Sequence, residues 1–182
     1  RGYLHILKKF VWANKITVGG SAGLKGEKSA RRYFLGGNEN WLFFDPRDVD
    51  WVNYENNIRY IFYSDFVVPF RGWAYYDIVG TRYAVVNTEF RFPFVKEFSI
   101  AWPLPMSLRY INGAVFVDAG NAWNEEDQYE YVPLPKKIYG GIGFGMRINI
   151  GYLVVRYDRA WKTDWQSYIK SPINYWSLGA EF

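Results

Sequence analysis

The stretch Tyr139-Gly140-Gly141-Ile142-Gly143-Phe144-Gly145-Met146-Arg147-Ile148-Asn149-Ile150 decides the fold. Its residues alternate with period two, the signature of a β-strand rather than a helix. Ile142, Phe144, Met146, Ile148 and Ile150 point one way. Gly141, Gly143, Gly145, Arg147 and Asn149 point the other. Glycine weakens a strand, so the apolar face must carry this one. In a soluble sandwich the large side chains face the core and polar ones face water. Here the second face is small and polar, which suits the inner wall of a membrane barrel.

Working outward, the same alternation recurs. Between Thr81 and Phe92, Ala84, Val86, Phe90 and Phe92 oppose Tyr83, Val85, Asn87, Glu89 and Arg91. Between Ile111 and Ala119, Ile111, Val115 and Val117 oppose Asn112, Ala114, Phe116 and Asp118. Leu153, Val155 and Tyr157 oppose Val154, Arg156 and Asp158. Trp176, Leu178, Ala180 and Phe182 oppose Tyr175, Ser177, Gly179 and Glu181. Nearer the start, Ile16, Val18, Ala22 and Leu24 oppose Thr17, Ser21, Gly23 and Lys25, and Tyr3–Ala13 is strand-like. The reading is about seven strands of roughly nine to eleven residues, the length that crosses a bilayer. Asn14-Lys15 and Asn149-Ile150-Gly151 read as tight turns. Residues 119–138, 162–173 and above all 27–80 read as long loops, and residues 93–106, with Pro93, Pro103 and Pro105, as a break on the short-turn side. Short turns on one side and long loops on the other belong to an outer-membrane barrel. Single-chain bacterial barrels use even strand numbers, so an odd count is expected to be part of a larger barrel.

Composition agrees with an all-β membrane protein. Of the 182 residues, 21% are aromatic, with nine Trp and 16 Tyr, far more than a soluble core needs. Amphipathic rings of this kind serve a polar boundary. With no Cys, disulfides, thiolate zinc sites and thiol nucleophiles are excluded. No apolar run approaches the roughly 20 residues of a membrane helix. The opening Arg1-Gly2-Tyr3 does not read as a secretory signal. A net charge of +4 without a run of like charges gives no footprint for nucleic acid.

Three short motifs narrow the reading: Phe70-Arg71-Gly72-Trp73 in the longest loop, Phe116-Val117-Asp118-Ala119-Gly120 at a strand end, and the final alternating Trp176-Ser177-Leu178-Gly179-Ala180-Glu181-Phe182. In order and spacing they resemble the BamA/TamA-type outer-membrane assembly superfamily, also called the bacterial surface antigen family. Phe70-Arg71-Gly72-Trp73 resembles the Arg-Gly-aromatic motif of that family's sixth extracellular loop, and Tyr33-Phe34-Leu35-Gly36-Gly37 the Leu-Gly-Gly stretch that precedes it. Asn87–Pro93 is similar to the following strand's Glu-x-Arg-x-Pro. The resemblance covers nearly the whole chain and implies the last seven of sixteen strands, a transmembrane antiparallel β-barrel in the bacterial outer membrane. It implies that residues 27–80 fold into the lumen. There Arg71, a rigid fork of donors, would meet Asp118 and Glu89 on the polar face. It further implies insertion or translocation of polypeptides without a cofactor or covalent chemistry. The partners would be lipids, client outer-membrane or secreted proteins and accessory periplasmic or lipoprotein subunits. Tyr175–Phe182 would form the last-strand side of a lateral seam, with Trp176, Leu178, Gly179 and the aromatic Phe182 as its signal. The insertion Asp45–Asp65 departs from the family pattern.

Other classes fare less well. His5 is the sole histidine and lies in a strand far from any nucleophile elbow. Asp158 beside Arg156 reads as a salt bridge rather than an acid–base dyad. Gly140-Gly141-x-Gly143-x-Gly145 is followed by strand, not helix, so it is no dinucleotide fingerprint. Asn121–Glu130 lacks the spacing of a calcium loop. A passive outer-membrane pore shares the alternation but not the Arg-Gly-aromatic loop. A soluble carbohydrate-binding β-sandwich shares the aromatic content.

Overall fold

The computed structural model describes residues 2–6, 10–21, 32–43, 49, 51–52, 65–100, 106–124, 137–150, 153–167 and 171–180. Seven strands follow one another as an antiparallel meander: β1 (Gly2–Ile6), β2 (Phe10–Gly20), β7 (Arg82–Ile100), β8 (Met106–Trp123), β9 (Tyr139–Ile150), β10 (Leu153–Thr163) and β11 (Ile173–Ala180). Four short strands lie between β2 and β7: β3 (Tyr33–Leu35), β4 (Trp41–Phe43), β5 (Asp65–Val68) and β6 (Ile78–Gly80). β5, β3 and β6 form a small sheet of their own, whereas β4 joins the large sheet beyond β11. The large sheet therefore has eight strands, the eighth contributed by the long connection.

Several expectations need correction. Asn14-Lys15 is not a turn; both residues sit inside β2, opposite Thr88 and Asn87 of β7. Residues 93–106 are not a break, because β7 runs through Pro93 to Ile100 and β8 starts at Met106. Pro93 is accommodated because a register shift falls between it and Val95. In addition, the paired stretch of β2 ends at Val11 opposite Arg91, so β2 asks no hydrogen bond of Pro93. β7 and β8 consequently span 19 and 18 residues, well beyond the expected length. The tight corner after β9 lies slightly later than expected, since Ile150 pairs directly with Leu153. Ala22, Leu24, Glu181 and Phe182 lie outside the described residues.

The two faces of the sheet are inverted relative to a soluble protein. Ile16 and Val18 are 69% exposed, and Val115, Val117, Phe144 and Trp176 also stand bare. The opposite face is covered by residues from the long connection and buries Glu89, Asp118, Arg147, Asp158 and Ser177. Water rewards the reverse arrangement, because exposed aliphatic area costs roughly 25 cal/mol per Å². A hydrocarbon solvent on the bare face removes that cost. Val115→Lys tests this directly. On a face bathed in water a half-exposed Val→Lys change is near neutral. On a lipid face it should destabilise by up to about 2–4 kcal/mol near the midplane. The check is the urea midpoint of the lipid-folded protein, and an unchanged midpoint would put water on this face.

Candidate functional site: a buried ionic lock

Alternation along β7 to β10 sends ionic side chains from every strand to the covered face. Glu89 comes from β7, Asp118 from β8, Arg147 from β9 and Asp158 from β10. None reaches an apolar core. Glu89, Asp118 and Asp158 meet instead Arg71 of the segment between β5 and β6, which carries Phe70-Arg71-Gly72-Trp73, and Arg147 joins through Glu89 and Asp158.

Arg71 is the centre of the cluster. Its Nε and Nη2 donate to the two carboxylate oxygens of Asp118, each at 2.8 Å. Its backbone N–H donates to Asp118 Oδ2 at 3.1 Å. Its Nη1 donates to Glu89 Oε2 at 2.8 Å and lies 3.8 Å from Asp158 Oδ2. The guanidinium carbon rests 3.6 Å from the centroid of the Phe116 ring, a cation–π contact on its remaining face. A bidentate fork of this kind fixes direction as well as distance, which a lysine would not. Burial works against the charge on Arg71. The charge of Asp118 and its hydrogen bond, backed by Asp158 and Glu89, outweigh burial and raise the Arg71 pKa above its ordinary value.

A second arginine completes the cluster. Arg147 Nη2 donates to Glu89 Oε2 at 2.9 Å and its Nη1 to Asp158 Oδ1 at 2.7 Å. Arg91 Nε donates to the other Glu89 oxygen at 2.8 Å. Two buried arginines thus share three buried carboxylates, with the half-buried Arg91 at the margin. Asp158 pairs with Arg147, not with Arg156 as expected. The reason is local: Gly145 lies opposite Asp158, and its missing side chain leaves room for the Arg147 guanidinium to reach across.

The backbone around Arg71 is held separately. Gly72 has φ +92°, and a Cβ there would stand 2.7 Å from the Trp161 carbonyl oxygen. Only glycine satisfies both conditions. The Gly72 N–H donates to Tyr175 Oη at 3.1 Å, and that hydroxyl donates on to the Trp73 carbonyl at 2.9 Å. The Trp73 indole N–H donates to the Gly140 carbonyl at 2.7 Å. Phe70 is fully buried among Leu35, Val68, Trp73 and Val85.

A family model described as the Omp85 superfamily domain matches residues 1–182. The chain belongs to the Omp85 superfamily. No curated protein and no solved structure matches it. Membership is consistent with the BamA/TamA-type resemblance and implies, at superfamily level, non-enzymatic insertion or translocation of proteins at the bacterial outer membrane.

Within this Omp85 domain the residues singled out in the sequence fall into two groups. Phe70, Arg71, Gly72, Trp73, Glu89 and Asp118 come together at one place. Trp176, Leu178 and Gly179 lie on β11, Trp176 exposed on the bare face and Gly179 opposite Val154, while Phe182 is outside the described residues. Arg147 and Tyr175 were not anticipated as site residues. Arg147 had a visible signal, being the lone charge on a face otherwise made of glycine and asparagine. Tyr175 had none, because a tyrosine two residues into a strand reads equally well as an interface ring.

Proposed function

We propose that this Omp85 domain is the carboxyl-terminal barrel portion of a BamA/TamA-like protein that inserts or translocates other polypeptides. In this reading the seven-strand meander is completed by further strands into a larger barrel. Residues 27–80 fold into its lumen, and Arg71 locks them through Asp118 and Glu89. Client strands pair with the last strand, Tyr175–Phe182, by β-augmentation. Lipid and client outer-membrane proteins are its partners, with accessory periplasmic or lipoprotein subunits beside them.

The observation that supports this best is the Arg71 fork on Asp118, 47 residues away in the chain, beneath an inverted sheet. Reconstitution of the full-length protein into liposomes tests it. An unfolded eight-stranded outer-membrane barrel is added, and its folded fraction is read as a heat-modifiable gel shift. Folding should run severalfold faster than in empty liposomes. Equal rates together with a steady ion conductance would make the protein a passive pore.

A further inference from the structure

Past the rim of the meander, β7 and β8 continue alone. Pairing of β2 with β7 stops at Val11 opposite Arg91, and pairing of β8 with β9 stops at Asn112 opposite Arg147. β7 and β8 go on pairing with each other as far as Ile100 opposite Met106. Among the described residues, both edges of this two-stranded ribbon are unpaired. Its two neighbours, β2 and β9, belong to this chain, so its isolation does not depend on strands outside the sequence. The ribbon leaves on the side of the tight corner between β9 and β10, away from the long connection.

A bulge marks the point of departure. Pro93 pairs with Asn112 and Val95 with Ile111, so Phe94 is an extra residue in β7, and it is 67% exposed. One extra residue reverses the alternation of β7, while β8 runs on regularly. Before the bulge, the covered face takes Glu89 and Arg91 of β7 and Asp118 of β8, and the bare face takes Phe90, Val115 and Val117. After it, the register sets Glu97 opposite Arg109 and Ser99 opposite Ser107 on the continuation of the bare face. Phe98 opposite Leu108 and Ile100 opposite Met106 fall on the continuation of the covered face, with the exposed Lys96 at its base. Both strands therefore exchange polarity at one level. The outer face becomes polar, and the face aligned with the lumen becomes apolar.

That exchange fits a ribbon with water outside it and an apolar occupant at the mouth of the lumen. An isolated two-stranded ribbon is marginal in water, and its open edges invite a further strand. Six residues per strand give a face about 20 Å long and about 10 Å wide, roughly 200 Å², against about 800 Å² per partner in a stable interface. A folded domain held permanently needs more than this. An extended strand does not, because it gains main-chain hydrogen bonds at the edge and seats alternate side chains on the face. We propose that residues 95–100 and 106–111 form a receiving site for clients, taking an extended segment of alternating apolar residues as a third strand at the short-turn mouth of the lumen. The proposal rests on the assembly reading above and adds where a client is first held, away from the last strand.

The test uses the full-length protein in liposomes and the same unfolded eight-stranded client. Phe98→Ser with Leu108→Ser should raise the client concentration for half-maximal folding rate at least fivefold and leave the maximal rate unchanged. Ser99→Lys with Ser107→Lys, on the opposite face, should change neither. A serine pair with the wild-type concentration dependence would overturn the proposal, as would an equal rise in the lysine pair. A labelling measurement stands even where the serine pair does not fold. The chain contains no cysteine, so Leu108→Cys is labelled with a water-soluble maleimide against the unsubstituted protein as background. It should react at rest and be protected by client, whereas Ser107→Cys should react equally with and without client. Protection of Leu108→Cys before client is added would mean that a resident domain covers the ribbon, and would overturn the receiving role. Labelling unaffected by saturating client would do the same. Wild-type protein that does not accelerate client folding at all would sink the assembly reading together with this proposal, whereas indifferent ribbon variants sink the proposal alone.

Discussion

Arg71→Ala should be the most damaging single change in this chain outside the strands. It leaves Asp118, with 0% of its surface exposed, as a buried carboxylate stripped of two donated hydrogen bonds and its nearest cation. Removing one member of a buried ion pair typically costs about 3–5 kcal/mol, and that cost measures the orphaned charge rather than the net worth of the pair. The backbone N–H of residue 71 still reaches Asp118, so the low end of that range is expected. The readout is protease sensitivity of residues 65–80 in the lipid-folded protein, together with the temperature at which its heat-modifiable form is lost. Arg71→Lys should fall between wild type and alanine, since it keeps the charge but loses the fork. Arg71→Glu should be worse than alanine, setting a third carboxylate beside Glu89 and Asp118. Adding Asp118→Arg to it should restore the loop only in part. The reversed pair attracts, but the new arginine stands close to Arg147, and the new glutamate close to Glu89. If Arg71→Glu left protease sensitivity unchanged, Arg71 would not be what holds the segment.

Most of the meander was legible because each strand separates two solvents. Period-two alternation survives in the sequence wherever one face is bare and the other covered, and β9, β10 and β11 carry it without interruption. The errors arose where a polar residue found its partner far along the chain. Lys15 looks like a turn residue beside Asn14, yet it lies within β2 and its charge is answered by Glu39, 24 residues later. No local pattern encodes that meeting. Pro93 looks like the end of a strand, and would be one at a position paired on both sides. It is tolerated because β2 is no longer paired to β7 at that level and a register shift follows.

The site was legible in a different way. Arg71, Asp118 and Glu89 stood out through motif resemblance and face parity, which together placed three ionic groups on one side of the sheet. Arg147 and Asp158 required the register between β9 and β10, and that register is set by a two-residue connection visible only approximately in the sequence. The pairing of β4 with β11 lay beyond reach. A three-residue strand has no periodicity to detect, and its partner is 133 or more residues distant.

The glycines of the opening stretch carry the second large prediction. Replacing glycine in a strand interior by alanine ordinarily stabilises by roughly 0.5–1 kcal/mol, through reduced chain entropy and better strand propensity. By that rule Gly141→Ala in β9 should strengthen the protein. The structure predicts the opposite sign. A Cβ at Gly141 would fall on the carbonyl oxygen of Arg71, with the Arg71 carbonyl carbon at 2.9 Å. The obstacle is backbone, fixed from both sides by the Arg71 fork and by Gly72 against Trp161. Relief requires moving the lock segment off β9, and overpacking costs of about 1–3 kcal/mol exceed the propensity gain. Gly141→Ala should therefore raise the protease sensitivity of residues 65–80 as Arg71→Ala does, although it removes no charge and no hydrogen-bonding group. Gly20→Ala in β2 provides the comparison, since its Cβ would meet only the flexible Arg82 side chain at 3.3 Å. That variant should stay within about 0.5 kcal/mol of wild type, as surface changes do. A Gly141→Ala protein more stable than wild type would mean that the lock segment does not cross β9 there. The small-residue face that first indicated a membrane barrel would then have no role in seating Arg71.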